Sequence, residues 1–409
     1  MRFHRNISFA VIDALMAIFN EGEYADKVVA RALKLDKRWG SSDRKFVAET
    51  IYDIVRWKRL YAEIAEIKKE PFDRDSIWRM FAVWATLKGY TLPDWKYFEG
   101  TPVRRIKGKF DELSKDRKFK ESIPDWMDEI GVKELGETIW SKEITAQNEP
   151  AKVILRTNTI RTTKEALKQE LLQLDIHTKI IPDYPEALEL EERANVFMTD
   201  IFKNGLFEVQ DASSQMVAHM LDIQPGMRVV DTCAGAGGKT LHMACLMQNK
   251  GQIIAMDLYE SKLKQLKIRA KRNGIHNIEY RVIDTTKVIK KLHGQADRVL
   301  IDAPCSGLGV LKRNPDAKWK LQPEFIENIR KIQAEVLESY SRIVKPGGKL
   351  VYATCSVLPS ENQEQIKNFL ANTETGKSFT FVKDAKILAS ESGFDGFYMA
   401  LLERKNEKI

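Results

Sequence analysis

No stretch of this 409-residue sequence is long and apolar enough to cross a membrane, and Met1-Arg2-Phe3-His4-Arg5-Asn6 runs into an amphipathic segment rather than a leader. A cytoplasmic protein is expected. Cysteine is scarce: Cys233, Cys245, Cys305 and Cys355 form no Cys-x-x-Cys pair and no regular spacing, so neither a zinc site nor a disulfide framework is supported. No metal is expected. Internal repeats and low-complexity tracts are absent, and 43% apolar with 30% charged residues is an ordinary soluble composition, sufficient by length for roughly two or three domains. Acids are outnumbered, giving a net charge of +8 and a pI near 9.0. That excess suits a polyanionic partner and equally a solvated, lysine-rich surface.

What is present centres on residues 228–309, where four short apolar runs each end on an aspartate: Asp231, Asp257, Asp284 and Asp302. Runs of this length, separated by helical spacing such as residues 261–273, predict parallel strands of a doubly wound α/β sheet, whose ligands bind at the strands' carboxyl ends. The first run enters Thr232-Cys233-Ala234-Gly235-Ala236-Gly237-Gly238-Lys239-Thr240. A P-loop would need glycine where Cys233 stands, and a dinucleotide fingerprint would need a third glycine where Thr240 stands. Neither fits. Loop amides for a small carboxylate and Asp257 for ribose hydroxyls suit S-adenosylmethionine, with another nucleotide still open.

Around this centre, residues 1–125 read as almost wholly helical, with Ser41-Ser42-Asp43 as a helix cap and basic clusters at 103–109 and 115–120. A linking helix, 126–149, leads to a boundary at Asn148-Glu149-Pro150. Residues 150–206 read as a small α+β unit with strands near 152–157 and 177–181 and a helix over 163–174. Arg156, Asn158 and Arg161 fall at the end of its first strand, as nucleic-acid contacts or simple surface residues. The sheet domain spans 207–405, with a helix over 323–343, a fifth strand ending on Thr354 and a terminal antiparallel pair at 379–382 and 397–403. Residues 406–409 are expected to fray.

Asp302 leads into Ala303-Pro304-Cys305-Ser306-Gly307, and the fifth strand delivers Thr354-Cys355-Ser356 to the same rim. Two thiols and a carboxylate beside a methyl donor point to methyl transfer to carbon 5 of a pyrimidine. A thiolate adding to carbon 6 activates carbon 5, an acid at N3 stabilises the adduct, and a base then removes the carbon 5 proton. Asp302 is the candidate at N3, where its carboxyl must be protonated or share the proton, as burial near other aspartates would favour.

These segments resemble the bacterial RNA cytosine-5 methyltransferases of the Sun/Fmu type, and within them the 16S ribosomal RNA methyltransferase B (RsmB) group. The likeness rests on residues 231–240, 302–307, 313–319, 354–356 and the Gln210-Asp211-Ala212-Ser213-Ser214-Gln215 run. It implies a Rossmann-like class I methyltransferase domain preceded by an all-α NusB-like RNA-binding domain and an RRM-like subdomain. The implied donor site takes Cys233, Ala234, Gly235, Ala236, Gly237, Gly238 and Lys239, with Asp257 at the ribose, Asp284 near the adenine and Asp302 at the edge shared with substrate; Lys239 also supports the target base. Pro-Cys of the DNA enzymes would select Cys305 as nucleophile. The flanking motifs are those of the RNA family, whose Thr-Cys selects Cys355, leaving Cys305 for product release. The family more often has proline at Ala236. The implied partner is 16S rRNA, with tRNA as the alternative, and a monomer is expected. Readings from other classes are a helical, antiterminator-like RNA-binding protein and a nucleotide-dependent oxidoreductase.

Overall fold

The computed structural model describes residues 3–406, so of the segment expected to fray only Asn406 falls within the described part. The chain forms two compact units, each discontinuous: Met1–Glu149 with Leu311–Pro323, and Pro150–Val310 with Glu324–Ile409.

The first unit is helical. Apolar residues at helical spacing bury one face of each long helix, as with Ile7, Val11, Leu15 and Ile18 of Arg5–Asn20 and Val47, Ile51, Ile54 and Val55 of Ser41–Arg56. Trp78 and Phe81 complete this core, Trp78 stacking on Tyr97 with centroids 4.4 Å apart. The helix beginning at Ser41 is capped by Gly40, not by a serine; Asp43 Oδ2 reaches back to accept the Gly40 N–H at 3.1 Å. The expected linking helix is two helices, Asp125–Leu135 and Glu137–Gln147, broken at Gly136.

Leu311–Pro323 was expected within the sheet domain and packs instead among these helices. Lys318 is fully buried, its Nζ donating to the carbonyls of Arg56, Glu121 and Ser122 at 3.0–3.2 Å and to Asn148 Oδ1 at 2.6 Å. Trp319 Nε1 donates to Val55 O at 2.6 Å. Donating to these buried carbonyls, of which that of Glu121 also accepts Asn148 Nδ2, gives the segment its place.

The second unit holds two sheets. The smaller has strands β1 (Ile154–Thr157), β2 (Thr178–Ile180), β3 (Ala187–Leu190) and β4 (Phe207–Val209), antiparallel in the order β2-β3-β1-β4. Leu155, Leu167, Leu171, Leu188 and Phe207 form its core. The larger comprises β5 (Arg228–Asp231), β6 (Gln252–Asp257), β7 (Ile278–Val282), β8 (Ala296–Asp302), β9 (Val344–Thr354), β10 (Phe379–Ile387) and β11 (Phe397–Arg404). Its order is β10-β11-β9-β8-β5-β6-β7, parallel except around β11. Alternate residues face opposite layers: Val229, Ile253, Leu300 and Val351 lie in one core, Val230, Ile254, Val299 and Leu350 in the other. Burial on both faces explains why these strands read as continuous apolar runs. Strand order reverses at β5, which puts a ligand crevice at its carboxyl end.

Candidate active site

Three of the four aspartates close their strands on that rim: Asp231 ends β5, Asp257 ends β6 and Asp302 ends β8. Parallel register sets Asp231 beside Ala255 and Leu300, and Asp302 beside Ala353. Asp284 differs. β7 stops at Val282, so the apolar run overshoots the strand and Asp284 stands exposed two residues beyond it.

From β5 the chain turns through residues 232–237 into the helix Gly238–Leu246. Ala234 N donates to Met256 O and Gly235 N to Asp257 Oδ2, both at 2.8 Å, pinning the loop to the end of β6. Gly235 and Gly237 have φ of +53° and +88°. A Cβ on Gly237 would lie 2.0 Å from Leu266 Cδ1, whereas one on Gly235 would meet nothing within 4 Å. Glycine is therefore needed at 237 for packing, while 235 borders open space. The helix's first backbone bond runs from Leu241 N to Gly237 O, so the amides of Gly238, Lys239 and Thr240 precede the ladder, an arrangement suited to a carboxylate. Asp257 accepts one backbone N–H on each oxygen, from Gly235 and Tyr259, and keeps a further lone pair on each for hydroxyl donors. A small carboxylate and a ribose thus fit the groups present.

The loop is braced from behind. Arg156 Nη1 donates to Gln210 Oε1 and to Gly238 O, and Arg269 Nη1 donates to Ala236 O at 2.7 Å. Arg156 and Asn158 were expected at the surface or on nucleic acid; both are buried, Asn158 Nδ2 donating to the carbonyls of Gly205 and Asn273. Arg161 is exposed, with Nε donating to Asn273 O. Cys245 is core, and Cys233 is a half-buried loop residue whose thiol burial pushes well above the usual range.

Beside the loop, Lys239 Nζ donates to Asp302 Oδ2 at 2.7 Å. Burial alone would depress the lysine; Asp302, with Cys355 and Asp231 adding to it, holds its pKa above the ordinary value. Asp302, expected to be protonated or to share a proton, is half-buried and ion-paired with Lys239. Asp231 is the aspartate that burial raises, to about 7, despite the Thr240 hydroxyl donated to it at 2.7 Å.

Cys305 and Cys355 meet with their sulfurs 3.2 Å apart, each half-buried. Contact with Cys355, reinforced by burial, raises the Cys305 pKa well above that of a free thiol, and either sulfur can be the donor in the contact between them. Under the two thiols lies a buried polar cluster of Ser306, Gln333, Ser356, Glu361 and Asn362 that sequence reasoning missed. The one signal was that both cysteines are followed by serine.

A separate group, Glu186, His219 and His242, is the set among the described residues whose ligand atoms lie close enough, within 4.8 Å, to hold a metal ion. Their separation in sequence gave no ligand spacing to read. His219 Nε2 lies 2.8 Å from Glu186 Oε2 and His242 Nε2 3.4 Å from it. Burial pushes His242 down to about 4, and Glu186, which burial would raise, is held low by the His219 hydrogen bond and the neighbouring His242 ring. The buried guanidinium of Arg156 acts electrostatically on both Glu186 and His242.

A family profile described as 16S rRNA methyltransferase RsmB/F matches residues 218–403, and one described as an RsmF/B-like, ferredoxin-like domain matches 123–197. A Synechocystis protein named "Probable ribosomal RNA small subunit methyltransferase B" is 32% identical over 416 residues, covering 92% of this chain and 91% of that protein. The chain belongs to this family. Ribosomal RNA small subunit methyltransferase B of Salmonella paratyphi B is 36% identical over 66% of this chain and 63% of its own length. The crystal structure of PH0851 superposes with a TM-score of 0.84 at 26% identity, covering 99% of this chain and all of that one. The RsmB/F member described here is thus an RNA methyltransferase with a Rossmann-like catalytic sheet, and among its described residues no helix is long and apolar enough to span a membrane.

Proposed function

We propose that this enzyme transfers a methyl group from S-adenosylmethionine to carbon 5 of a cytosine in 16S rRNA through a covalent bond between Cys355 Sγ and carbon 6. The observation that carries this reading is the 3.2 Å contact of two thiols delivered by adjacent strand ends, next to the Lys239–Asp302 ion pair. S-adenosylmethionine, when bound, supplies an electrophilic methyl group. The loop from Cys233 to Lys239 holds its carboxylate, Asp257 its ribose hydroxyls, Asp284 the adenine side, and Asp302 borders both ligands.

Cys355 attacks carbon 6, and the proton needed at N3 passes from Lys239 through Asp302, so charge on the ring is neutralised as it develops. Carbon 5 then takes the methyl group. With Cys355 bonded to carbon, the contact that held Cys305 protonated is gone; Cys305 releases its proton to solvent and, as a thiolate, takes the carbon 5 proton. The electron pair left by that proton re-forms the C5–C6 double bond as Cys355 leaves as a thiolate and N3 returns its proton to Asp302. The NusB-like helices and the ferredoxin-like sheet contribute RNA affinity. Arg104, Lys107, Lys115 and Lys120 are exposed, whereas Arg105 and Lys109 pair with Glu66 and Arg117 with Asp128. Bisulfite sequencing of total RNA from cells with and without the gene tests the reading. A 16S rRNA cytosine protected only when the gene is present is expected; protection confined to tRNA, or unchanged on deletion, would overturn it.

A further inference from the structure

The residues on both sides of each thiol are held by one buried pair, Glu361 and Asn362, lying in and just after the short turn Pro359–Glu361. Glu361 Oε2 accepts the Ser306 N–H at 2.8 Å and Gln333 Nε2 at 2.9 Å; Oε1 accepts the hydroxyls of Ser306 and, at 2.6 Å, Ser356. Gln333 also donates to Pro304 O at 2.9 Å, immediately before Cys305. Asn362 Nδ2 donates to Ser356 O at 2.9 Å, and Thr354 Oγ1 bonds Asn362 Oδ1. Positions 304, 306, 354 and 356 are therefore fixed from beneath, while 305 and 355 remain half-buried at the rim.

A fully buried carboxylate is costly unless its lone pairs are filled, and here four donors fill them. None of these hydrogen bonds reaches the candidate donor loop. We propose that Glu361 is a positioning residue for methyl transfer, setting the separation of the Cys305 and Cys355 sulfurs by anchoring the serine that follows each. The inference rests on the thiol roles proposed above for its catalytic consequence, though not for the spacing itself. Glutamine at 361 can keep its oxygen toward the Ser306 amide and Gln333 and turn its amino group to the two hydroxyls, which can accept. Alanine leaves all four donors without that acceptor.

The test compares full-length wild type, Glu361→Gln, Glu361→Ala and the milder double variant Ser306→Ala/Ser356→Ala, which removes only the hydroxyl arms. Diamide oxidises two neighbouring thiols to a disulfide and is itself reduced to the hydrazine, so the rate of Cys305–Cys355 disulfide formation, read by peptide mass spectrometry, reports sulfur spacing without RNA or methyl donor. Glu361→Ala is expected to slow cross-linking and single-turnover methylation on the order of 100-fold, as an ångström-scale displacement does, with S-adenosylmethionine affinity unchanged. The double variant should fall about tenfold, and Glu361→Gln should stay within about threefold of wild type. Wild-type cross-linking in Glu361→Ala, or, if that variant does not fold, in the double variant, would overturn the inference. A wild type that cross-links but transfers no methyl group would instead overturn the proposed function and leave the spacing result standing.

Discussion

A half-buried lysine at the rim and a fully buried one in the helical unit are treated oppositely. Lys239, at the catalytic rim, faces a carboxylate 2.7 Å away and has its pKa raised. Lys318, in the helical unit, is fully enclosed by three carbonyls and an amide oxygen; burial, with the Arg56 charge adding to it, pulls its pKa well down. The first is an ammonium kept charged beside a carboxylate to which the proposed mechanism gives the N3 proton. The second is a set of donors tying Leu311–Pro323 among helices. Burial alone therefore does not mark a reactive lysine; the charge of its partner does.

The strongest way to break this comparison is to remove the rim lysine. Lys239→Ala takes the counter-charge from Asp302 and is expected to lower single-turnover methylation by roughly 10²–10⁴-fold with little change in thermal midpoint. An unchanged rate would remove Lys239 from the chemistry. Next in size is Asp231. Its folded pKa is raised, so its contribution to stability is present below about pH 4 and lost as pH rises through about 7. Relative to Asp231→Asn, wild type should lose up to roughly 4 kcal/mol of unfolding free energy across that window, measured by denaturant titration at several pH values. A pH-independent difference would contradict the burial argument.

Lys318→Met should cost about 3 kcal/mol, because the buried carbonyls it served lose their donor, while S-adenosylmethionine binding by calorimetry stays intact. Loss of donor binding with no loss of stability would reverse the roles assigned to the two lysines. The smallest effect concerns the exposed cations. Arg104→Ala with Lys107→Ala should flatten the log–log salt dependence of RNA binding by about one unit per residue and leave the turnover of bound RNA alone.

Much of the rim was legible because its signals are local. An apolar run buried on both faces ends where a polar residue appears, so Asp231, Asp257 and Asp302 marked strand ends, with Cys305 shortly past Asp302 and Cys355 directly after the β9 end at Thr354. At Asp284 the same signal overshot, since Ile283 continues the run without joining β7. What stayed hidden depends on partners distant in the chain. Arg156 looked like a surface cation and is buried against Gln210 and Gly238; Ser306 and Glu361 meet across 55 positions; Lys318 finds its acceptors in helices that precede it by 170 residues or more. No local pattern distinguishes a charged side chain that tertiary packing will enclose from one left in water.

The most direct measurement concerns the two sulfurs. Each cysteine is replaced in turn by alanine, the protein is incubated with S-adenosylmethionine and 16S rRNA, and the products are run under denaturing conditions. Cys305→Ala should retain RNA covalently, because the adduct forms and is not released, and Cys355→Ala should form neither adduct nor methylated product. Covalent RNA on Cys355→Ala, or on neither variant, would contradict attack by Cys355.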